Sequence, residues 1–348
     1  MFILLKNYEV ESAHTWTGRV DSSTDFDSLR WHQWIKIIDL NDTNLKAFEG
    51  KFAFAFIGFE CDHGIGLNKG RVGAAMGPES IRRELSNLPC QFSQDIKLFD
   101  AGNIVTYGLT LDQAQDCLSE AVNRVLELNM FPIVLGGGHE TAFGHYKGLF
   151  KNFHPKKENI GIISFDAHFD TRPYKENGGT SGTMFRQIHD LNLENDEDFN
   201  FMVIGIQKHS NTKSLFNYAK ENGIKYILSR ETVNSSIPSL FEQIDEFISG
   251  VDHVYITICS DVFSTAFAPG VSAPTPLGVD PETAIVLIKH ILSHDKAVSF
   301  DICEVSPRFD KDSTTASLAS LLIFTVVTKV ANIIEMNNKR RNKKIDKE

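Results

Sequence analysis

Asp166-Ala167-His168-Phe169-Asp170 places two carboxylates and an imidazole at alternate positions. Along an extended segment, residues two apart share one side, so the three donors can converge on one point. Carboxylate oxygen with imidazole nitrogen suits a divalent transition ion such as Mn²⁺. Alone, the motif would more often be a solvated turn. It does not stand alone. Gly136-Gly137-Gly138-His139-Glu140, Cys259-Ser260-Asp261 and Cys303-Glu304 each follow an apolar run of strand length, as the aspartate motif does. Taken singly, the triple glycine is a tight turn, since it lacks the Lys-Ser/Thr of a phosphate-binding loop, and His139 is an ordinary structural histidine. In an open parallel sheet, however, ligands gather beyond the carboxyl ends of the strands. Four such ends delivering His, Asp, Cys and Glu predict one metal crevice.

The elements that must position these residues follow from periodicity. Apolar runs at 52–58, 131–135, 159–165, 201–206, 224–228, 253–258 and 297–302 read as strands. Between them, 111–129, 146–150, 184–191, 212–222, 239–249, 281–292 and 317–336 read as helices. The clearest is 111–129, where Ala114, Leu118, Ala121, Val122 and Val125 share one face behind a Thr110-x-x-Gln113 capping box. Gly77-Pro78-Glu79 suits a helix start. Alternating strands and helices imply βαβ units, hence an α/β fold with a mostly parallel central sheet in a three-layer αβα sandwich. Residues 51–336 are expected to form one catalytic domain. Residues 1–50, with Trp16, Trp31 and Trp34, read as an N-terminal extension packed on it, and 337–348 as a charged, disordered tail.

Composition narrows the partners. A net charge of -10 offers no basic face for phosphate backbones, so nucleic acid is not expected. The apolar stretch 321–327 is too short to cross a bilayer, and Lys6 and Glu9 interrupt any leader-like run at the N-terminus, so neither a membrane partner nor secretion is expected. Five cysteines without a Cys-x-x-Cys pair argue against a disulfide framework and for a reducing cytoplasm.

Together these motifs resemble the signature of the ureohydrolase family of arginases and agmatinases, over roughly residues 52–334. The resemblance implies an arginase-like fold and two divalent ions, Mn²⁺ by family. His139, Asp166 and Asp170 would hold one ion, Asp166, His168 and Asp261 the other. Within the family, Asn68-Lys69-Gly70-Arg71, Gly136-Gly137-Gly138-His139-Glu140, Gly179-Thr180-Ser181-Gly182-Thr183-Met184-Phe185-Arg186 and Asp301-Ile302-Cys303-Glu304 resemble formimidoylglutamases of histidine degradation. The implied reaction converts N-formimino-L-glutamate and water to L-glutamate and formamide. Asp261 would carry the proton and Glu304 would stabilise the amidinium-like charge. Arg172, Arg71, Arg186 and Ser181 become candidate contacts for this dicarboxylate, because a guanidinium takes a carboxylate bidentately. The family also implies a homo-oligomer. An agmatinase or guanidino-acid hydrolase is the alternative enzyme.

Two positions depart from the pattern. Ser181-Gly182 stands where arginases and agmatinases carry His-Gly, which disfavours arginase activity. Cys259 replaces the first Asp of an Asp-x-Asp pair. A thiolate there would turn preference from Mn²⁺ toward Fe, Co or Zn. The readings left open are a bridging thiolate, one tightly held ion, and a catalytically silent homologue.

Overall fold

The computed structural model describes residues 4–174 and 178–345, with side chains throughout these except at Asn234 and 340–345. Among the described residues ten strands form one sheet: β1 (Tyr8–Glu9), β2 (Lys36–Ile37), β3 (Phe52–Glu60), β4 (Ile96–Val105), β5 (Phe131–Leu135), β6 (Ile160–Phe165), β7 (Asn200–Ile206), β8 (Lys225–Leu228), β9 (His253–Cys259) and β10 (Ala297–Cys303). Their order is β1-β4-β3-β5-β10-β9-β6-β7-β8, with β2 on β4, and all pairings but β1 with β4 are parallel.

Eleven helices accompany the sheet among the described residues. The short α1 (Trp31–Trp34), α2 (His63–Leu67) and α8 (Ser229–Asn234) sit in connections. One face carries α4 (Leu111–Glu127), α5 (Thr141–Phe153), α6 (Met184–Glu194) and α7 (Lys213–Glu221); the other carries α3 (Gly77–Ser86), α9 (Ile237–Ser249), α10 (Pro281–Leu292) and α11 (Thr314–Ile345). Strand alternation divides the side chains between two cores. In β3, Phe54 and Phe56 enter one core while Ala53, Ala55, Ile57 and Phe59 enter the other. Both phenylalanines are fully buried, so truncating either to Ala would cost about 3–5 kcal/mol. The Thr110 capping box is present, with Gln113 N donating to Thr110 Oγ1 at 3.3 Å and Thr110 N donating to Gln113 Oε1 at 3.0 Å.

The structure differs from the sequence reading in three places. β4 is a strand that the hydrophobic pattern did not announce, because Lys97, Asp100, Gly102 and Asn103 interrupt it. Asp100 is buried against Arg82, with Arg82 Nε donating at 2.8 Å, and it also accepts from Trp16 Nε1 at 2.7 Å. Through that bond, and through β1 and β2 pairing with β4, residues of the first fifty join the main sheet. The helix expected at 317–336 runs from Thr314 to Ile345, into the segment expected to be a disordered tail; residues 346–348 of that tail lie outside the described ones. Its length, with a mean hydropathy of 1.9 over its most apolar window, corrects the judgement that this stretch is too short to span a bilayer. Its apolar stripe, including Leu322, Ile323, Val326 and Val327, is packed in the core beside α3 and α10.

Candidate metal centre

Strands β5, β10, β9 and β6 are consecutive neighbours in the sheet, so the four polar strand ends open onto one crevice. After β5 the chain turns so tightly that a Cβ on Gly137 would collide with the Cys61 carbonyl and one on Gly138 with the Glu140 carboxylate. Only glycine fits at both positions. Asp170 and Glu304 adopt left-handed backbone, φ 47° and 65°, an arrangement that costs non-glycine residues energy and often marks functional turns.

His139, Asp166 and Cys259 form one cluster and Asp166, His168 and Asp261 another, the donor atoms of each lying within 4.8 Å of one another. Asp166 belongs to both. His139 Nδ1 lies 2.9 Å from Asp166 Oδ2 and 3.4 Å from Asp170 Oδ2; His168 Nδ1 lies 3.4 Å from Asp166 Oδ1 and 3.2 Å from Asp261 Oδ2. Close as they are, His139 Nδ1 and Asp166 Oδ2 are not aligned for a hydrogen bond, and both are buried without a hydrogen-bond partner among the described residues, as is Asp261 Oδ1.

The hydrogen bonds behind His139 explain this. Asp301, buried and held low by His145 and Thr257 against the upward push of burial, is an ionised acceptor. Thr257 must therefore donate its single proton to Asp301 Oδ1, at 2.6 Å, and its oxygen accepts from His139 Nε2, at 3.0 Å. A neutral His139 then has its lone pair on Nδ1, facing carboxylate lone pairs. A cation between them would resolve the conflict, and a protonated imidazole is the metal-free substitute. The donor set and its orphaned atoms fit two divalent ions.

Titration in the metal-free site follows the same logic. Burial would lower His139 and His168, but the surrounding aspartates outweigh it and raise both well above an ordinary histidine. Asp166 is lowered because the two histidines overcome its burial, whereas burial and the Asp166 charge push Asp170 up to about 6. Burial, then Asp261 and Asp166, push the Cys259 thiol well up, so it is protonated until a cation arrives.

Above these donors lies a cavity of about 310 Å³, lined by Asn68, Lys69, Arg71, Arg172, Ser181 and Ser272 together with His139, His168, Asp170, Cys259, Asp261 and Glu304. Its floor is acidic and its rim basic. Arg172 is exposed and has no ion pair or hydrogen bond from its side chain among the described residues. Arg71 is partly committed: Nε and Nη2 donate to Ser272 O at 3.1 Å and Val271 O at 2.6 Å, and the guanidinium stacks on Phe309. Arg186 does not line the cavity and lies over the Tyr218 ring, 4.4 Å from its centroid.

A profile of the Arginase family matches residues 52–328. This chain belongs to the arginase family. Among curated members it is 52% identical to the formimidoylglutamase of Clostridium tetani over 329 residues, 94% of this chain and 97% of that protein. It is 41% identical to that of Streptococcus pyogenes serotype M1 over 325 residues, 93% and 98% of the two chains. Among solved members of the fold, the formimidoylglutamase from Bacillus subtilis superposes with a TM-score of 0.75 at 22% identity, covering 91% of this chain and 97% of that one. The Trypanosoma cruzi formiminoglutamase with Mn²⁺ gives 0.70 at 24% identity, covering 82% and 97%.

Within this arginase-family site, several residues escape a reading of the sequence alone. Lys69, in left-handed backbone at φ 63°, and Asn68 reach the cavity from the loop after α2. Glu140 tethers α2, from which that loop leaves, its Oε1 accepting from Gly64 N at 2.7 Å, and burial pushes its carboxyl up to about 7. The Asn68-Lys69-Gly70-Arg71 motif was the available signal for the first two, and Asp301 stood in the Asp301-Ile302-Cys303-Glu304 motif; none existed for Thr257, which links Asp301 to His139.

Proposed function

We propose that this arginase-family chain hydrolyses the C–N bond of N-formimino-L-glutamate, giving L-glutamate and formamide. The observation that carries the reading is the polarity of the cavity. A cationic formimino group fits the acidic floor, and the two carboxylates meet Lys69, Arg71 and Arg172 at the rim. Arg186 is withdrawn as a contact. Agmatine, a cation with no carboxylate, leaves the rim charges unanswered, which disfavours the agmatinase alternative.

His139, Asp166, Cys259 and Asp170 would hold one divalent ion, and Asp166, His168 and Asp261 the other. When bound, such ions lower the pKa of water and polarise the scissile group. The protein supplies position and proton movement. Thr257 fixes the His139 tautomer. Glu304 Oε1 accepts from His139 N at 3.1 Å, and its Oε2, without a partner among the described residues, would face the amidinium charge. Asp261 passes the proton to the leaving nitrogen, and Ser181 and Arg172 orient the substrate's glutamyl part. Cys259 shifts the preferred ion from the Mn²⁺ of the family toward Fe, Co or Zn.

The test is glutamate release from N-formimino-L-glutamate by protein loaded separately with Mn²⁺, Fe²⁺, Co²⁺ and Zn²⁺, with arginine and agmatine in parallel. Turnover of formiminoglutamate alone is expected. Turnover of agmatine instead would reverse the substrate assignment, and silence on all three with ions bound would favour a silent homologue.

A further inference from the structure

At the other end of the sheet, α9 and α10 bring together three donor atoms that the hydrolytic site does not use. Asp245 Oδ1, on α9, lies 2.6 Å from His290 Nε2 and 2.8 Å from His294 Nε2, and the three donors all fall within 4.8 Å of one another. His290 is in the last turn of α10 and His294 four residues on, in the turn that follows. That spacing keeps the two imidazoles on one side of the helix end. Phe241, one turn before Asp245 on α9, stacks on His290 with ring centroids 3.6 Å apart and planes 3° apart, holding that ring in place.

We propose that Asp245, His290 and His294 form a zinc site that clamps α9 to α10. Zn²⁺ takes imidazole nitrogen at about 2.0–2.1 Å and carboxylate oxygen at about 2.0–2.2 Å in tetrahedral geometry, which sets donors roughly 3.3–3.5 Å apart. The three side chains are 20–47% exposed, so small rotations open their hydrogen-bonded contacts to that spacing. Solvent access leaves the fourth position to water. Two imidazoles favour Zn²⁺ over Mn²⁺, so the site discriminates against the ion expected by family in the crevice. Because His294 precedes β10 and Asp245 lies on the helix before β9, the clamp sits at the amino ends of these strands. The crevice is at their carboxyl ends, about 20 Å away for seven-residue strands. Ion binding to the folded form stabilises it by mass action, here by joining two helices that cover one core.

The experiment is equilibrium dialysis of the Mn²⁺-loaded protein against Zn²⁺ with metal analysis, beside His290→Ala, His294→Gln and Asp245→Ala, and beside Asp166→Ala in the crevice. Wild type is expected to hold one more Zn²⁺ than each of the three clamp variants, with affinity in them down by at least about tenfold, the loss that a change behind a ligand already causes. Asp166→Ala retains the extra ion. Zn²⁺ raises the thermal midpoint of wild type by more than that of the clamp variants, whose crevice can still take the ion, and hydrolysis with Mn²⁺ is the same in all three. Equal zinc counts in wild type and the histidine variants, or loss of the extra ion in Asp166→Ala, would overturn the proposal.

Discussion

Replacing Thr257 by Val keeps the shape of the side chain and removes only the hydroxyl that links His139 to Asp301. In the metal-free protein the loss is softened, because His139 can place its proton on Nδ1 and point it at Asp166 or Asp170, 2.9 and 3.4 Å away. Ion binding forbids that escape. Nδ1 must then offer its lone pair, and Nε2–H is left in a fully buried position with no acceptor, a loss of about 1–3 kcal/mol. Asp301 suffers less, since His145 Nδ1 still lies 2.6 Å from Oδ2 and Tyr255 donates to the same oxygen. The cost therefore falls on the metal-loaded form. An affinity loss of roughly 5- to 150-fold for one ion follows from that range, overlapping the 10–100-fold typical of groups that orient metal-bound histidines. Chelator competition measures it ion by ion, with thermal unfolding of the metal-free variant as the control. Thr257→Ser restores the hydroxyl and should restore affinity. Wild-type ion retention in Thr257→Val, or equal damage in Thr257→Ser, would refute the relay.

Cys259→Asp should lower the Mn²⁺ concentration needed for activity by at least about tenfold and abolish thiolate-to-metal absorption in the Co²⁺ form; an unchanged spectrum would mean that Cys259 is not a ligand. Arg172→Met should raise KM for formiminoglutamate roughly 5- to 30-fold at nearly constant kcat, a charged hydrogen bond discounted for exposure, and steady-state kinetics would contradict it by showing a fall in kcat alone. His139 and His168 are raised above the unfolded value near 6.5, so their protonated forms support the metal-free fold fully below about pH 6.5 and that support is lost as pH rises through the raised values. Asp170, pushed up to about 6, acts in the same sense, its support present below about pH 4 and lost as pH climbs through 6. The thermal gap between metal-loaded and metal-free protein should thus widen from about pH 6 to 8.5, with protons released on ion binding; calorimetry in two buffers checks the release, and a gap that narrows contradicts the assignment. Asp100→Ala should destabilise the fold by about 3 kcal/mol, the lower end for a broken buried pair because Glu11 and Asn103 still face Arg82; a loss under about 1 kcal/mol in urea unfolding would show that Arg82 is not held by Asp100.

The limits of sequence legibility in this chain have a common physical origin. His139, Asp166, His168, Asp170, Asp261 and Glu304 were legible because each lies within five residues of a strand end, and a parallel sheet sends such ends to one edge whatever the register. The order β5-β10-β9-β6 then made them neighbours. What depends on register was not legible. Thr257 faces Asp301 because these two residues are paired across β9 and β10, a match that no local pattern in either strand encodes. Arg71 looked like a free cation in its own motif, yet its guanidinium is tied to carbonyls two hundred residues away. β4 was hidden for the converse reason: its polar Asp100 and Asn103 are satisfied by Arg82, Trp16 and Glu11 from distant segments, so a buried strand carries a loop-like sequence. Local chemistry thus predicts which donors reach the crevice, while the relay that sets the His139 tautomer is a property of strand pairing. A change at Thr257 should therefore alter ion affinity without touching any residue that a motif would single out.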